Sequence, residues 1–471
     1  MESGRTRIRE RWVVALVLVL GFAYRLFFLW LPVSVDDDAA VYAQLARNWF
    51  HHGVYGFLRD GHIAPTLVRL PGYPFFLGVV FSLFGATHTW PVLILQALID
   101  LGACWLLYDV VRTEVSRRAG WATLLLAVFC PFTAAYTASG MTESLSVSCV
   151  ALAIWALARV VRAERDGGSA KGSLLALAFA VSYATLLRPD GGLLAAVFCA
   201  ALFWYTRHSL GVGRALRVAA ITAILAALSF VPWTIRNART FHVFQPLAPR
   251  DANNPGEFVP HGFHRWLRTW SLDYVDTGTV AWNQNDYIDP TDIAARACDT
   301  AAECEQTQAL IAEHNQADAI TPQLDAQFAE LAARRVREHP LDYYLFYPAI
   351  RVVDMWMRPR TELFNIGPWW WAWRYHPVGN SIAIFLGLVN LGYVVLAVIG
   401  FTRRRVPLAG ALLAYVLLRS LLLATLDGPE QRYTMEFFPI LFVAGACVFA
   451  RDRAASHRPE PATSQTSAAI R

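Results

Sequence analysis

Ten apolar runs of roughly membrane length restrict this chain more than any other feature. A helix needs roughly 20 apolar residues to cross a hydrocarbon core about 30 Å thick. Only helices and closed barrels satisfy their backbone in lipid, and these runs lack the alternation of barrel strands. Only 16% of the 471 residues are charged, compared with about 25% in soluble domains. The sequence therefore predicts an all-α polytopic membrane protein, with runs at 12–31, 91–111, 121–138, 145–161, 173–187, 191–205, 215–233, 381–401, 407–426 and 437–450.

The arginine-rich segments predict the orientation of these runs. Lys and Arg near the ends of membrane helices stay on the cytoplasmic side. If the ten runs alternate from a cytoplasmic N-terminus, every strongly basic segment falls inside, and both termini are cytoplasmic. We therefore expect an integral protein of the bacterial inner membrane. The basic segments are the N-terminal "RTRIRER", residues 112–118, 159–171, 207–217 and 403–405, and the tail from Arg451.

Two further apolar segments, 71–85 and 343–359, would reverse this orientation if they crossed the membrane. Arg351 and Asp354 would also be costly in mid-bilayer. We therefore interpret both segments as helices at the outer membrane face.

The same alternation predicts the domain organisation. Residues 1–244 form a transmembrane core that includes a first outer loop, 32–90. Residues 245–342 are polar and acidic and form a small helical extracytoplasmic insertion. Residues 343–450 form an interfacial helix and the C-terminal transmembrane helices, and 451–471 form a disordered cytoplasmic tail.

Two of the seven cysteines lie close together in the outer insertion. Disulfides persist outside the cytoplasm, and no second ligand pair for zinc lies near Cys298 and Cys304. We therefore favour a disulfide between them. The other five occur singly in apolar runs and are expected to be buried small hydrophobes.

Carboxylates and arginines from distant parts of the chain collect at the outer face in this scheme. A transporter site usually lies near the bilayer midplane, so a one-sided polar set favours an enzyme that acts on a surface-presented substrate. The guanidinium group suits a phosphate, and a carboxylate suits activation of an acceptor hydroxyl or amine. The set comprises Asp36, Asp37, Asp38, Arg69, Glu143, Arg188, Asp190, Arg236, Asn237, Glu430, Arg432 and Tyr433.

Each of these residues also has a structural interpretation. Asp38 is well placed to cap the helix that follows it. Glu143 would lie in the first turn of a helix, where the helix dipole stabilises a negative charge. Arg188 and Arg432 would then reach towards lipid headgroups. His51 and His52 are interpreted as surface residues rather than metal ligands. Asp100 is an acid inside an apolar run, and the sequence indicates no partner for it.

Seven motifs, in order from about residue 11 to 450, resemble the GT-C glycosyltransferases that use polyprenyl-phosphate sugars. The resemblance is greatest to the branch of protein O-mannosyltransferase-like and lipid A aminoarabinose transferase-like enzymes. The motifs are "DDDAAVYAQLARNWFHHGVYG", "RLPGYPFFLGVVFSLFG", "ASGMTESLSV", "LLRPDG", "FVPWTIRNARTFHVF", "REHPLDYYLFYPAIRVVDMW" and "PEQRYTMEFFPIL".

The resemblance implies a GT-C transmembrane core with juxtamembrane helices in the first outer loop. It also implies transfer of a sugar from a polyprenyl-phosphate donor on the non-cytoplasmic face, by single displacement with inversion. The partners would be this donor, membrane lipids and an acceptor that is a glycan, a lipid or a protein, with no nucleic acid.

The resemblance also implies roles for individual residues. The family's base is an acid four positions before an aromatic, which here is Asp38 before Tyr42. Asp37 remains a competitor, because Ala39 stands where many relatives have Glu. Arg69 resembles the residue that faces the donor phosphate. Arg432 and Tyr433 resemble the late donor-binding pair, Arg188 is grouped with them, and Glu143, Asp36 and Tyr42 are supporting residues.

Metal dependence stays open, because some relatives need a divalent metal ion and the sequence has no complete ligand set. Two other functions stay open as well. A lipid-linked oligosaccharide ligase or polymerase would use the same arginines with a pyrophosphate donor. A transporter or flippase would need polar residues at mid-depth and inverted repeats, and it is ranked lower.

Overall fold

The computed structural model describes residues 2–31, 37–86, 88–317, 319–364, 366–373 and 376–450, with the side chains of 2–7 and 37 excluded. The predicted tail 451–471 and Asp36 lie outside these residues, as does the side chain of Asp37.

The described chain is 73% helical with almost no sheet, which confirms the all-α prediction. Most of each predicted apolar run is helical. The helix bounds are α1 Glu2–Trp30, α2 Asp37–His52, α3 Gly72–Phe84, α4 Trp90–Glu114, α5 Arg117–Val128, α6 Pro131–Tyr136, α7 Glu143–Asp166, α8 Lys171–Leu187, α9 Gly192–Leu210, α10 Val212–Leu228, α11 Val231–Phe241, α12 His261–Leu267, α13 Tyr274–Asp276, α14 Ala301–Ala317, α15 Pro322–Glu338, α16 Tyr347–Met357, α17 Pro377–Arg403, α18 Ala409–Leu423 and α19 Phe438–Cys447.

Six helical stretches within the described residues are long and apolar enough to cross a membrane. Helix α3, with 13 residues, would span only about 20 Å at 1.5 Å per residue, which is shorter than a hydrocarbon core. The six stretches are Ile8–Trp30, Trp90–Glu114, Glu143–Asp166, Pro189–Leu210, Val212–Phe241 and Pro377–Arg403.

Two of the apolar runs are interrupted where proline begins a new helix. Helix α5 ends at Val128 and α6 starts at Pro131, while α10 ends at Leu228 and α11 has a proline in its first turn. Proline cannot donate a backbone hydrogen bond, so the first turn of a helix is the position where it costs least.

The first outer loop contains α2, α3 and a small antiparallel hairpin that the sequence analysis did not predict. Strand β1 (Gly56–Arg59) pairs with β2 (His62–Pro65). The connecting residues Asp60 and Gly61 both have positive φ, 49° and 80°. Two such residues make the tight turn that suits a hairpin, and Asp-Gly is a typical sequence for it.

The outer insertion has a hydrophobic core of its own. Phe263 and Trp266 pack against Phe328 of α15, and Trp270 packs against Trp266. Cys298 and Cys304 are joined by a disulfide, with Cα atoms 5.1 Å apart, which closes the turn leading into α14.

A buried ion pair joins α1 to α4 inside the transmembrane core. The Nε of Arg25 donates to Asp100 at 2.9 Å, and Arg25 Nη1 donates to the carbonyls of Gly21 and Val128. Both charged side chains are almost completely buried. Asp100 therefore has the partner that the sequence did not indicate, and the pair removes two unpaired charges from the apolar interior.

Replacing Asp100 with Leu should destabilise the fold by about 3–5 kcal/mol, because Arg25 is left as an unpaired buried charge. The double variant Arg25→Met/Asp100→Leu should recover most of this loss, since it removes both charges. Thermal unfolding in detergent would measure the difference. As a control, Asp166→Asn, at an exposed pair with Arg162, should change stability by less than about 1 kcal/mol. A double variant no more stable than the single one would contradict the pairing.

Candidate active site

Asp38 lies between two arginines that come from opposite ends of the chain. Arg69 Nη2 donates to Asp38 Oδ1 at 2.7 Å, and Arg432 Nη1 donates to Asp38 Oδ2 at 3.1 Å. Helix α2 begins at Asp37, so Asp38 is inside the first turn, and the expectation that it caps the helix is wrong. Each carboxylate oxygen of Asp38 is instead paired with one guanidinium group.

The segment before α3 places Arg69. The Tyr55 hydroxyl contacts the carbonyls of Arg69 and Leu70 at 3.0 and 3.1 Å. Arg236 of α11 donates to the carbonyls of Tyr55 and Thr66, both at 2.7 Å. Because these bonds connect the hairpin region to α11, Arg69 extends from an anchored segment.

Arg432 is held by the residues on either side of it. It lies in a 3-10 helix, Gln431–Phe437, and forms an ion pair with Glu430. The Tyr433 hydroxyl donates to the same carboxylate. Glu430 therefore orients both members of the late pair, Arg432 and Tyr433, that the resemblance singled out.

The charges around Asp38 set its protonation state. Burial alone would raise the pKa of Asp38, but the guanidinium groups of Arg432 and Arg69 outweigh burial, and the pKa lies below its usual range. Glu430 differs, because burial raises its pKa above the usual range despite Arg432 and Tyr433. In the resting site Asp38 is thus an ionised carboxylate and, while both arginines hold it, a weak base.

A second ionic cluster lies behind the first one. Arg188 Nη1 donates to Glu143 at 2.8 Å, and its Nε lies 3.3 Å from Asp190 and 3.6 Å from Glu436. Arg419 of α18 pairs with Asp190 at 2.8 Å and with Glu436 at 2.9 Å. The Arg188 guanidinium lies over the Tyr433 ring, 5.2 Å from its centroid, so the two clusters meet at this tyrosine.

These contacts correct the expectation for Arg188 and Arg432 and add a partner for Glu143. Arg188 and Arg432 do not reach towards headgroups, since their side chains are only 17% and 14% exposed and are paired with carboxylates. Glu143 does lie in the first turn of α7, but its carboxylate faces Arg188. Sequence reasoning missed Arg419 and Glu436. The available signals were that Arg419 lies inside an apolar run and that Glu436 lies inside the motif "PEQRYTMEFFPIL".

The remaining candidate residues are placed as follows. Tyr42 packs edge-on against Tyr73, with ring centroids 5.2 Å apart. His51 and His52 are exposed at the end of α2. Within the residues that the structure describes, no group of three or more His, Cys, Asp or Glu side chains could hold a metal ion.

Comparison of the sequence with known proteins finds similarity to mannosyltransferases. Residues 66–235, about a third of the chain, match the model of the family described as dolichyl-phosphate-mannose-protein mannosyltransferase. A "Putative mannosyltransferase YycA" of Bacillus subtilis (strain 168) is 26% identical over 156 residues, which are 32% of this chain and 22% of YycA. The match therefore spans about a fifth of this relative's length.

Solved structures of two proteins are similar to this chain over most of its length. The archaeal oligosaccharyltransferase AglB from Archaeoglobus fulgidus has a TM-score of 0.50 at 11% identity, covering 93% of this chain and 50% of AglB. ArnT from Cupriavidus metallidurans has a TM-score of 0.42 at 16% identity, covering 94% and 78%. The family match and the AglB fold agree with the resemblance to the GT-C glycosyltransferases.

The pairing of Asp38 predicts a pH-dependent stability difference between the wild type and Asp38→Asn. A carboxylate whose native pKa is lowered stabilises the fold above its unfolded pKa, about 3.9, and this contribution is lost as the pH falls through the native pKa. The wild type should be more stable by about 1.5–3 kcal/mol near neutral pH, the usual range for hydrogen bonds to charged groups. The gap should close below about pH 4.

Thermal unfolding in detergent between pH 7 and 3 would measure this gap. Asp60→Asn is the matched control, because Asp60 lies in the exposed turn of the same outer loop. A gap that persists undiminished at pH 3 would show that Asp38 does not stabilise the fold through its charge.

Proposed function

We propose that this chain is an integral-membrane glycosyltransferase that moves a sugar from a polyprenyl-phosphate donor to an acceptor nucleophile. The observation that carries the proposal is the carboxylate of Asp38, whose two oxygens each face an arginine, Arg69 at 2.7 Å and Arg432 at 3.1 Å. Base and phosphate-binding groups are thus next to each other. The match of residues 66–235 to a family named for a lipid-phosphate mannose donor supports the same chemistry.

The two arginines can bind the donor phosphate without large rearrangement. The Arg69 side chain is 29% exposed, and its Nε is buried with no hydrogen-bond partner among the described residues. A guanidinium group binds two oxygens of a phosphate through parallel hydrogen bonds. The phosphate would then replace the Asp38 carboxylate as the partner of Arg69 and Arg432.

This replacement would turn Asp38 into a better base. With the arginines bound to phosphate, burial would dominate and the pKa of Asp38 would rise from its lowered resting value. Asp38 therefore becomes a stronger base when the donor is bound. Without the donor, Asp38 is a weak base and activation of an acceptor is limited.

The transfer step follows from this geometry. Asp38 accepts the proton of the acceptor hydroxyl or amine as its oxygen or nitrogen forms a bond to the anomeric carbon. The bond from that carbon to the phosphate oxygen breaks, and its electron pair leaves with the polyprenyl phosphate. Arg69 and Arg432 stabilise the charge that develops there. Attack opposite to the leaving group inverts the anomeric configuration.

The second cluster supports this site. Arg188 is paired with three carboxylates, so its charge is largely satisfied there. Its position over the Tyr433 ring favours a role in holding Tyr433 beside Arg432 over direct contact with phosphate.

Replacing Asp38 with Asn should abolish sugar transfer, because the amide cannot accept the proton. The same variant should bind polyprenyl phosphate more tightly, on the order of tenfold or about 1.4 kcal/mol, because no carboxylate competes for the arginines. Transfer from radiolabelled polyprenyl-phosphate sugars and binding of undecaprenyl phosphate to purified protein would measure both effects. Asp60→Asn should behave as the wild type in both assays.

Two results would contradict the mechanism separately. Wild-type turnover in Asp38→Asn would remove Asp38 as the base. Unchanged affinity for the lipid phosphate would show that carboxylate and phosphate do not share Arg69 and Arg432.

We also propose that the site faces the extracytoplasmic side, with both termini cytoplasmic, because the basic loops then all lie inside. Single cysteines at exposed positions test this, in a background lacking the five unpaired cysteines. A membrane-impermeant thiol reagent should label Glu313→Cys of the insertion in intact spheroplasts. It should label Arg118→Cys, at the exposed start of α5, only after permeabilisation. The reverse pattern would overturn the orientation.

A further inference from the structure

Residues 425–430 connect α18 to the 3-10 helix that carries Arg432, and they form no regular structure of their own. Four of their backbone carbonyls accept hydrogen bonds from side chains elsewhere in the chain. Buried carbonyls need such partners, and here most of the partners belong to the outer insertion. The contacts are Arg250 Nη2 to Thr425 at 3.1 Å, Arg351 Nη1 to Leu426 at 3.3 Å, Ser271 Oγ to Asp427 at 3.5 Å and Thr277 Oγ1 to Pro429 at 3.4 Å. The single hydroxyl proton of Thr277 is shared with the carbonyl of Asp273, which lies 3.2 Å away within the same helical turn.

Within the insertion, the residues that contact 425–430 are fixed by burial and hydrogen bonds. Ser271 and Thr277 are completely buried. Between them, the side chains of Asp273 and Asp276 form a reciprocal capping box. Arg296 pairs with Asp276 and donates to the carbonyl of Trp270 at 3.0 Å. The hydroxyl groups of Ser271 and Thr277 therefore lie on a turn that hydrogen bonds and an ion pair fix to the rest of the insertion.

Arg351 of α16 ties the same turn to the membrane core. Its guanidinium donates to the carbonyls of Arg268 at 2.6 Å and Ser271 at 2.8 Å as well as to that of Leu426. Arg351 is only 1% exposed. One buried side chain thus contacts the insertion and residues 425–430 together.

The contact between Gly428 and Thr277 leaves little free space. A Cβ added at Gly428 would lie 3.1 Å from Thr277 Cγ2 but 3.8 Å from Thr277 Oγ1. Any side chain at position 428 would therefore press on the methyl group of Thr277 and move one of the two segments by a few tenths of an ångström.

We propose that the outer insertion positions Arg432 for the donor phosphate by holding residues 425–430, with Ser271, Thr277 and Arg351 as positioning residues. This inference rests on the proposed function, since it assigns Arg432 to the phosphate. Residues 425–430 end at Glu430, whose carboxylate holds both Arg432 and Tyr433. A displacement at Gly428 is therefore passed along the backbone to Glu430 and then to Arg432.

The test uses the full-length protein and its affinity for undecaprenyl phosphate. Gly428→Ala should weaken binding roughly tenfold, as a small misplacement of a phosphate-binding group does. Adding Thr277→Ser, which removes the crowding methyl group and keeps the hydroxyl, should restore binding to within about twofold of the wild type. Thermal unfolding of each variant would show whether the fold is intact.

Thr279→Ser is the matched control for rescue. Thr279 lies in the same turn of helix, but its hydroxyl donates to the carbonyl of Val275 at 3.0 Å and not to residues 425–430. Combined with Gly428→Ala, it should leave binding weak. Equal rescue by both serine variants, or no rescue by Thr277→Ser, would overturn the inference.

Thr277→Val tests the same contact without crowding it, should Gly428→Ala fail to fold. Valine keeps the shape of threonine and loses the hydroxyl that lies 3.4 Å from the carbonyl of Pro429 and 3.2 Å from that of Asp273. Thr279→Val loses only a bond of the second kind, to the carbonyl four residues earlier. Thr277→Val should weaken undecaprenyl phosphate binding several-fold, while Thr279→Val should bind as the wild type does. Unchanged binding in Thr277→Val would contradict the inference and leave the proposed function standing. Absence of binding in the wild type would instead contradict the proposed function, and the inference with it.

Discussion

The pairing of one carboxylate with two arginines is the interaction on which the rest of this site depends. Asp38 and Arg432 are 394 residues apart in the chain, so the site exists only when α2 meets the 3-10 helix Gln431–Phe437. Neighbouring side chains hold the two segments in position. Tyr55 and Arg236 hold the segment that carries Arg69, and Glu430 holds Arg432.

Buried arginines recur throughout the molecule, and each one has its charge or its donors satisfied. Arg25 faces a carboxylate and two carbonyls, and Arg351 donates to three carbonyls. Arg188 and Arg419 share two carboxylates, and Arg188 pairs with a third. An unpaired charge would be expensive in such surroundings. The same side chains link helices that are distant in sequence. Their contacts therefore fix how the helices pack, in addition to neutralising the buried charges.

Apolar run length and the distribution of arginine were enough to predict the helical class, and the motifs were enough to single out Asp38, Arg69 and Arg432. What could not be predicted was which charge meets which. Asp100 looked isolated because its partner, Arg25, lies near the end of another apolar run, and Arg419 was hidden in the same way. Ser271 and Thr277 carry no sequence signal at all, since an ordinary hydroxyl becomes significant only through the carbonyl that tertiary packing brings to it.

The sequence separation of the ion pairs has a consequence for biogenesis. Chains are made from the N-terminus, so the Arg25–Asp100 pair, 75 residues apart, can close early, and Arg188–Glu143, 45 residues apart, soon after. The Asp38–Arg432 pair must wait until nearly the whole chain has been synthesised. A ribosome-bound or prematurely terminated chain thus contains Asp38 and Arg69 but lacks Arg432. Such a chain cannot form the pairing of one carboxylate with two arginines, so an incomplete product of translation would lack the function proposed for this site.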